Sequence, residues 1–176
     1  MTTVILCGKP TDTAVSSLLI PVLSAYGGVR YFCGNRVGGE DPARYLLLDC
    51  ERLPDSSLDC GILLFKKSFR FCGEKRAVSG LVPVFSSSHA GAAVFLKGTG
   101  LSAITYGMSS KDTVSIAGLD DTGASVSIQR SVRTLGGAVI EPGDIRVRLS
   151  RPLPAEQVLL LSTVLLLCDE TPEYHF

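Results

Sequence analysis

Apolar and polar positions alternate along this chain in two distinct rhythms. Thr2 to Cys7 is an unbroken β-branched and apolar run, the pattern of a parallel strand covered on both faces. A turn over CGKPTD follows, and then Val15, Leu18, Leu19, Val22 and Leu23 recur at spacings of three and four, which predicts an amphipathic helix. Thr11 or Asp12 would cap that helix, Gly27-Gly28 would stop it, and Pro21 inside it predicts a kink or an irregular turn. Further short apolar runs predict strands over Val29–Cys33, Arg44–Cys50, Cys60–Phe65, Leu81–Phe85 and Ser102–Tyr106. The segment GNRVGGEDP (34–42) reads as a mobile Gly-rich loop, and the short link 51–59 leaves room for about one helical turn. Ser88 reads as the N-cap of a short helix that Gly98 and Gly100 end.

After Gly107 the rhythm changes to strict alternation over Thr113–Ala117, Ser125–Arg130 and Ile145–Leu149, with a turn at 120–123. That predicts a small antiparallel sheet with one wet face. Pro154 to Cys168 then reads as a helix, acidic in its first turn and almost wholly apolar beyond, that packs into the main sheet. The tail from Asp169 to Phe176 reads as loose. Strand and helix in succession predict an α/β fold: one domain of 176 residues with a mostly parallel sheet and flanking helices. Residues 1–107 form its parallel part, 108–150 a small antiparallel sheet, and 151–170 a closing helix.

Composition narrows the function. The chain is 45% hydrophobic and 19% charged, a globular balance. Seventeen basic residues against seventeen acidic ones leave no net field for nucleic acid or an anionic membrane. Trp is absent and aromatics are 7%, which speaks against a base-stacking surface. The six cysteines form no Cys-x-x-Cys pair and His89 and His175 lie far apart, so metal-site spacing is missing. Cysteines set in apolar strands read as reduced thiols of a cytoplasmic protein. No basic-then-apolar leader opens the chain, and the apolar stretch Val158–Cys168 is too short to span a bilayer. The basic segment 66–80 has two readings, a solvated loop or an anion-binding loop.

Four segments in order, CGKPTDTAVSSLL, RYLLLDCERL, VPVFSSSHAGA and AITYG, resemble the central ATP-binding domain of the Mur ligases and folylpolyglutamate synthetases. They match, respectively, that family's phosphate-binding Gly-Thr-Asn-Gly-Lys-Thr-Thr loop, its strand ending in a metal-associated glutamate, its Asn-x-Asp-Asp-Pro strand end and its Ile-Thr-Tyr-Gly strand. The resemblance implies a P-loop-type α/β fold in a central domain standing alone, without the family's substrate and amino-acid domains. It also exposes departures. With Gly8 on the first family glycine, Pro10 and Thr11 replace Asn and Gly, Asp12 replaces the phosphate-binding lysine, and Thr13 keeps its family identity at the magnesium position. Pro10 lacks an N–H, and Asp12 turns an attraction of roughly 4 kcal/mol at about 4 Å into repulsion. Lys9 substitutes for the lost lysine only if the loop takes another path.

Asp49 stands for the metal-associated glutamate, FKKSFRF for the family's Thr-Asn-x-x-x-Asp-His, and Ser86, Ser87, Ser88 and His89 for the nucleoside-reading acids. The sequence therefore assigns no catalytic residue, metal or cofactor. Candidate ligand-binding residues are Gly8, Lys9, Thr11, Asp12, Thr13, Asp49, Ser86, Ser88 and His89. His89 equally reads as a helix-start residue in solvent, and Asp49 as a cap of a neighbouring loop. Three functions remain open: a non-catalytic domain binding a protein or a small anion, an altered enzyme acting on another phosphorylated ligand, and a structural subunit docking through Gln129, Arg130 and Arg133. No nucleic-acid or membrane partner is expected, and the oligomeric state is not legible.

Overall fold

The computed structural model describes residues 1–53, 55–73 and 78–172. The chain forms two compact units, residues 1–85 with 89–103 and residues 86–88 with 104–176.

In the first unit, β1 (Thr2–Cys7) leads through 8–13 into α1 (Ala14–Ala25). Val4 to Cys7 are buried on both faces, as a central strand requires. The helix buries Leu18, Leu19, Val22 and Leu23 and runs through Pro21, which lies on its exposed side. It has no side-chain cap: Thr13 occupies the N-cap position, and neither Thr11 nor Asp12 fills it. Gly27 and Gly28, at φ of 136° and 80°, end the turn after it. Next come β2 (Val29–Cys33) and β3 (Arg36–Gly39), an antiparallel hairpin. The segment expected to be a mobile loop thus holds a strand at Arg36–Gly39: the backbone pairs with β2 even though its side chains are mostly exposed.

The unit continues with β4 (Tyr45–Cys50), β5 (Ser56–Phe65), β6 (Val78–Ser86) and α2 (Ala90–Leu96). The link between β4 and β5 carries no helical turn at its described residues 51–53 and 55, because β5 starts four residues earlier than its apolar run suggests. Strand order is β6-β5-β1-β4-β2-β3, parallel except for β3. The chain leaves β1 towards β2 on one side, whereas it leaves β5 towards β6 on the other. Between β1 and β5 the winding reverses, and open α/β sheets hold ligands beyond the carboxyl ends of strands at such a point. One face there carries a core of Ile5, Cys7, Leu63, Phe65, Phe69 and Phe95.

In the second unit, β7 (Ile104–Gly107) pairs in parallel with β8 (Val114–Leu119), and β8, β9 (Gly123–Ile128) and β12 (Gly143–Arg148) are antiparallel neighbours. The expected antiparallel strands are present, and β8 extends them onto a parallel strand. The two-stranded ribbon β10 (Val132–Arg133) and β11 (Val139–Ile140) is separate. Ala124, Val126 and Ile128 of β9 are buried on one face, as the alternation predicts. The helix α3 (Ala155–Leu167) lies on β7, β8 and β9, and Val158 to Leu167 are all buried. Among the described residues no helix is long and apolar enough to cross a membrane. The tail read as loose lies outside the described residues from Glu173 onward, His175 included.

Candidate functional site

At the carboxyl ends of β1, β4 and β5 the first unit buries an ion pair. Asp49 stands at the end of β4, and Lys66 follows β5 directly. Both side chains are fully buried, and the Lys66 ammonium lies 2.5 Å from Asp49 Oδ1 and donates to Oδ2 at 2.7 Å. It also donates to the Lys9 carbonyl at 3.1 Å. The Cys33 thiol, one strand away at the end of β2, donates to Asp49 Oδ2 at 3.2 Å. Partial burial and the hydrogen bond and charge of Asp49 hold that thiol above the usual cysteine range. Asp49 Oδ1 accepts no well-aligned hydrogen bond among the described residues, so the lysine charge alone compensates it.

The loop after β1 is sewn to the segment after β5. The amide of Gly8 donates to the Cys50 carbonyl (3.0 Å), that of Lys9 to Ser68 Oγ (3.0 Å), and that of Asp12 to the Lys9 carbonyl (3.0 Å). The Ser68 amide in turn donates to Asp12 Oδ2 at 3.2 Å. Burial pushes the Asp12 carboxyl up, but the Ser68 bonds, the Ala14 amide and the Lys66 charge outweigh it and hold it below the ordinary carboxylate range. The packing is close: a Cβ on Gly8 would come within 2.8 Å of Lys66 Cβ and Ser68 Oγ, so only glycine fits there. Thr11 and Thr13 are exposed, and the Thr13 carbonyl accepts from the Ser17 amide and hydroxyl.

His89 belongs to the same unit and caps a helix. Its Nδ1 accepts from the Ala92 amide at 3.2 Å, making His89 rather than Ser88 the N-cap of α2. Its Nε2 faces the Lys66 carbonyl at 2.8 Å, the arrangement of a neutral ring protonated at Nε2. Ser86 and Ser88 fall in the second unit and share a hydrogen bond of 2.8 Å. Cys7 and Cys50 are register partners on β1 and β4. The neighbouring Cys50 thiol, with burial, raises the Cys7 thiol well above its usual range. None of the six cysteines is in a disulfide.

Beside this seam a cavity of about 240 Å³ opens between Gly8 and Lys9, the link 51–53, and residues 68–72, with Phe95 of α2 as its far wall. Of the two readings of the basic segment, neither covers Lys66, whose burial removes it from any solvated loop; Lys67 and Arg70 are exposed, and 74–77 lie outside the described residues. Sequence reasoning missed Lys66, Ser68 and this cavity. The signal for the ion pair was present: two apolar strands successive in the chain, YLLLD and CGILLFK, end on opposite charges. A carboxylate so placed in a sheet interior needs a cation of its own chain.

No family model and no curated protein matches the sequence. Solved structures do. A UDP-N-acetylmuramoyl-L-alanyl-D-glutamate–2,6-diaminopimelate ligase is similar at a TM-score of 0.56 and 14% identity, over 96% of this chain and 43% of that one. The MurF ligase of Thermotoga maritima, in complex with ADP, is similar at a TM-score of 0.55 and 13% identity, over 97% of this chain and 46% of that one. The fold is Mur-ligase-like. The chain spans less than half the length of either enzyme.

A bound nucleotide and its magnesium would need free amides, a cation for the phosphates and an uncommitted carboxylate. The seam commits three of the loop amides internally, Pro10 offers none, and the Lys66 ammonium lies against both Asp49 oxygens, where a metal ion would have to sit. The residues present do not fit that group. Among the described residues no cluster of three His, Cys, Asp or Glu side chains is placed to hold a metal.

Proposed function

We propose that this chain is a non-catalytic, Mur-ligase-like binding domain whose ancestral phosphate loop is closed from within. The observation that carries the reading is the Lys66–Asp49 pair with its bond to the Lys9 carbonyl. A lysine from the end of β5, on the far side of β1, neutralises the carboxylate and pins the loop, doing internally what a metal and phosphate would do from outside. Asp12 adds a negative charge where a phosphate-binding cation would be needed, and its carboxylate is itself tied to Ser68. Thiols without disulfides support a reducing, cytoplasmic setting.

The test is a titration of the full chain with Mg-ADP and Mg-ATP, read by calorimetry and thermal shift. The reading expects no saturable binding and no displacement of the melting temperature. A ligand present at about 100 times its dissociation constant would add about 2.7 kcal/mol, a shift of several degrees for a domain of this size. Such a shift with ATP, abolished in Lys9→Ala, would replace this reading with that of an altered phosphate-binding enzyme.

A further inference from the structure

We infer that the cavity between residues 8–9, 51–53 and 68–72 binds a small aromatic carboxylate. The inference rests on reading the chain as a binding protein; it names the class of ligand. Position comes first. The cavity lies at the carboxyl ends of β1, β4 and β5, at the reversal of winding between β1 and β5, where open α/β sheets place their ligands. Every residue lining it belongs to the first unit.

Charge sets the sign of the ligand. Lys9, Arg52 and Arg70 line the cavity against one carboxylate, Glu51. Arg70 spends only Nη1, on the Lys67 and Phe69 carbonyls at 2.9 and 2.8 Å, which fixes the guanidinium and leaves its other nitrogens without a partner among the described residues. The Arg52 guanidinium and the Lys9 ammonium have no partner there either. A guanidinium fork matches a carboxylate with two parallel hydrogen bonds.

The opposite wall sets the body of the ligand. Phe69, Phe71 and Phe95 line it, with Phe95 edge-on to Phe69 (centroids 5.9 Å apart, 84°) and to Phe71 (5.6 Å, 74°). Each presents part of its ring to the cavity, where another aromatic ring can pack edge-on. Size fits as well. A cavity of about 150 Å³ accepts benzene, so 240 Å³ holds a benzene ring with a carboxylate arm, and a nucleotide is too large. A phosphate ester is disfavoured because the Gly8 and Lys9 amides are already bonded.

The test titrates the full chain with benzoate and phenylacetate by two-dimensional amide NMR and calorimetry. Cyclohexanecarboxylate, benzyl alcohol, phenyl phosphate and ADP serve as comparisons. For a ligand of about ten non-hydrogen atoms, saturation near or below about 1 mM is expected, with shifts at the amides of 51–53 and 68–72. Cyclohexanecarboxylate lacks the ring and benzyl alcohol the charge; each should bind about tenfold more weakly or worse. The exposed double variant Arg52→Gln/Arg70→Gln should lose about tenfold or more for benzoate and nothing for benzyl alcohol. Failure of both aromatic carboxylates to saturate, saturation with shifts elsewhere, or tighter binding of phenyl phosphate overturns the inference. Binding of ADP at these residues instead overturns the proposed function, so the two failures are distinguishable.

Discussion

Two pairs of cation and carboxylate in the first unit lie in opposite surroundings. Lys66 and Asp49 meet with no solvent exposure at either side chain, whereas Arg30 Nη2 and Asp41 Oδ1 meet at 3.0 Å on the β2–β3 hairpin with side chains 51% and 79% exposed. Their difference shows where a charge has a structural role. Water and salt compensate the exposed pair almost completely, so its loss leaves nothing unpaired. In the buried pair each ion lies against the other out of reach of water, and the ammonium also holds the loop after β1. The pair therefore need not add net stability over an apolar substitute; what is costly is breaking it.

The largest effect expected is that of Lys66→Met. Among the described residues it leaves buried Asp49 with only the Cys33 thiol as donor and takes one of two donors from the Lys9 carbonyl, for a loss of about 3–5 kcal/mol in urea denaturation. A loss under about 1 kcal/mol would mean that the pair is solvated and the closed-loop reading wrong. Next comes the double variant Lys66→Met/Asp49→Leu. If desolvation dominates, removing both charges restores most of the stability lost in Lys66→Met. A double variant no more stable than the single would show that the bond to the Lys9 carbonyl, and not charge pairing, is the main contribution.

Ser68→Ala removes the acceptor of the Lys9 amide, at a cost of about 1 kcal/mol because Lys9 is exposed and water can replace the hydroxyl. The informative readout is local: amide exchange at 8–12 should accelerate while that of β4 stays unchanged.

These variants also mark how far the sequence was legible. The order of strands and helices followed from periodicity, because β1 and β5 are apolar on both faces and α1 and α3 carry long apolar stretches. The hairpin strand β3 did not, since its residues Arg36–Gly39 are mostly exposed and its stability lies in backbone pairing with β2, which leaves no apolar pattern. At the site, Asp12 and Asp49 were visible as departures from a known motif. Their partners were not: Ser68 and Lys66 lie 56 and 17 residues away, and pairing across parallel strands depends on register, which side-chain type does not encode. Lys66 was further hidden by its neighbours Lys67 and Arg70, which are exposed and made the whole segment read as one basic run.

Asp12 gives a pH-dependent version of the same contrast. Its carboxyl is held below its unfolded value, so its contribution is complete above about pH 4 and is lost as pH falls through the lower folded value. Asp12→Asn should therefore lower stability slightly at neutral pH, leave it unchanged at the acid end, and so flatten the acid limb of the stability curve. Because the carboxylate is partly exposed, solvent screens the effect and only the change of slope is diagnostic. An acid limb identical in the variant would mean that the Asp12–Ser68 bond contributes nothing in solution.

The smallest effect belongs to the exposed pair. Arg30→Ala should change stability by no more than about 0.5 kcal/mol, and what change there is should shrink as salt rises from about 0.01 M to 1 M and the screening length falls from about 30 Å to 3 Å. The salt series decides the comparison better than the size of the loss. A buried pair is screened little, so the Lys66→Met deficit should persist at 1 M salt while the Arg30→Ala deficit vanishes. If Arg30→Ala instead cost more than about 2 kcal/mol and resisted salt, exposure would not be what separates the two pairs. The hairpin would then depend on its ion pair as the loop after β1 depends on Lys66.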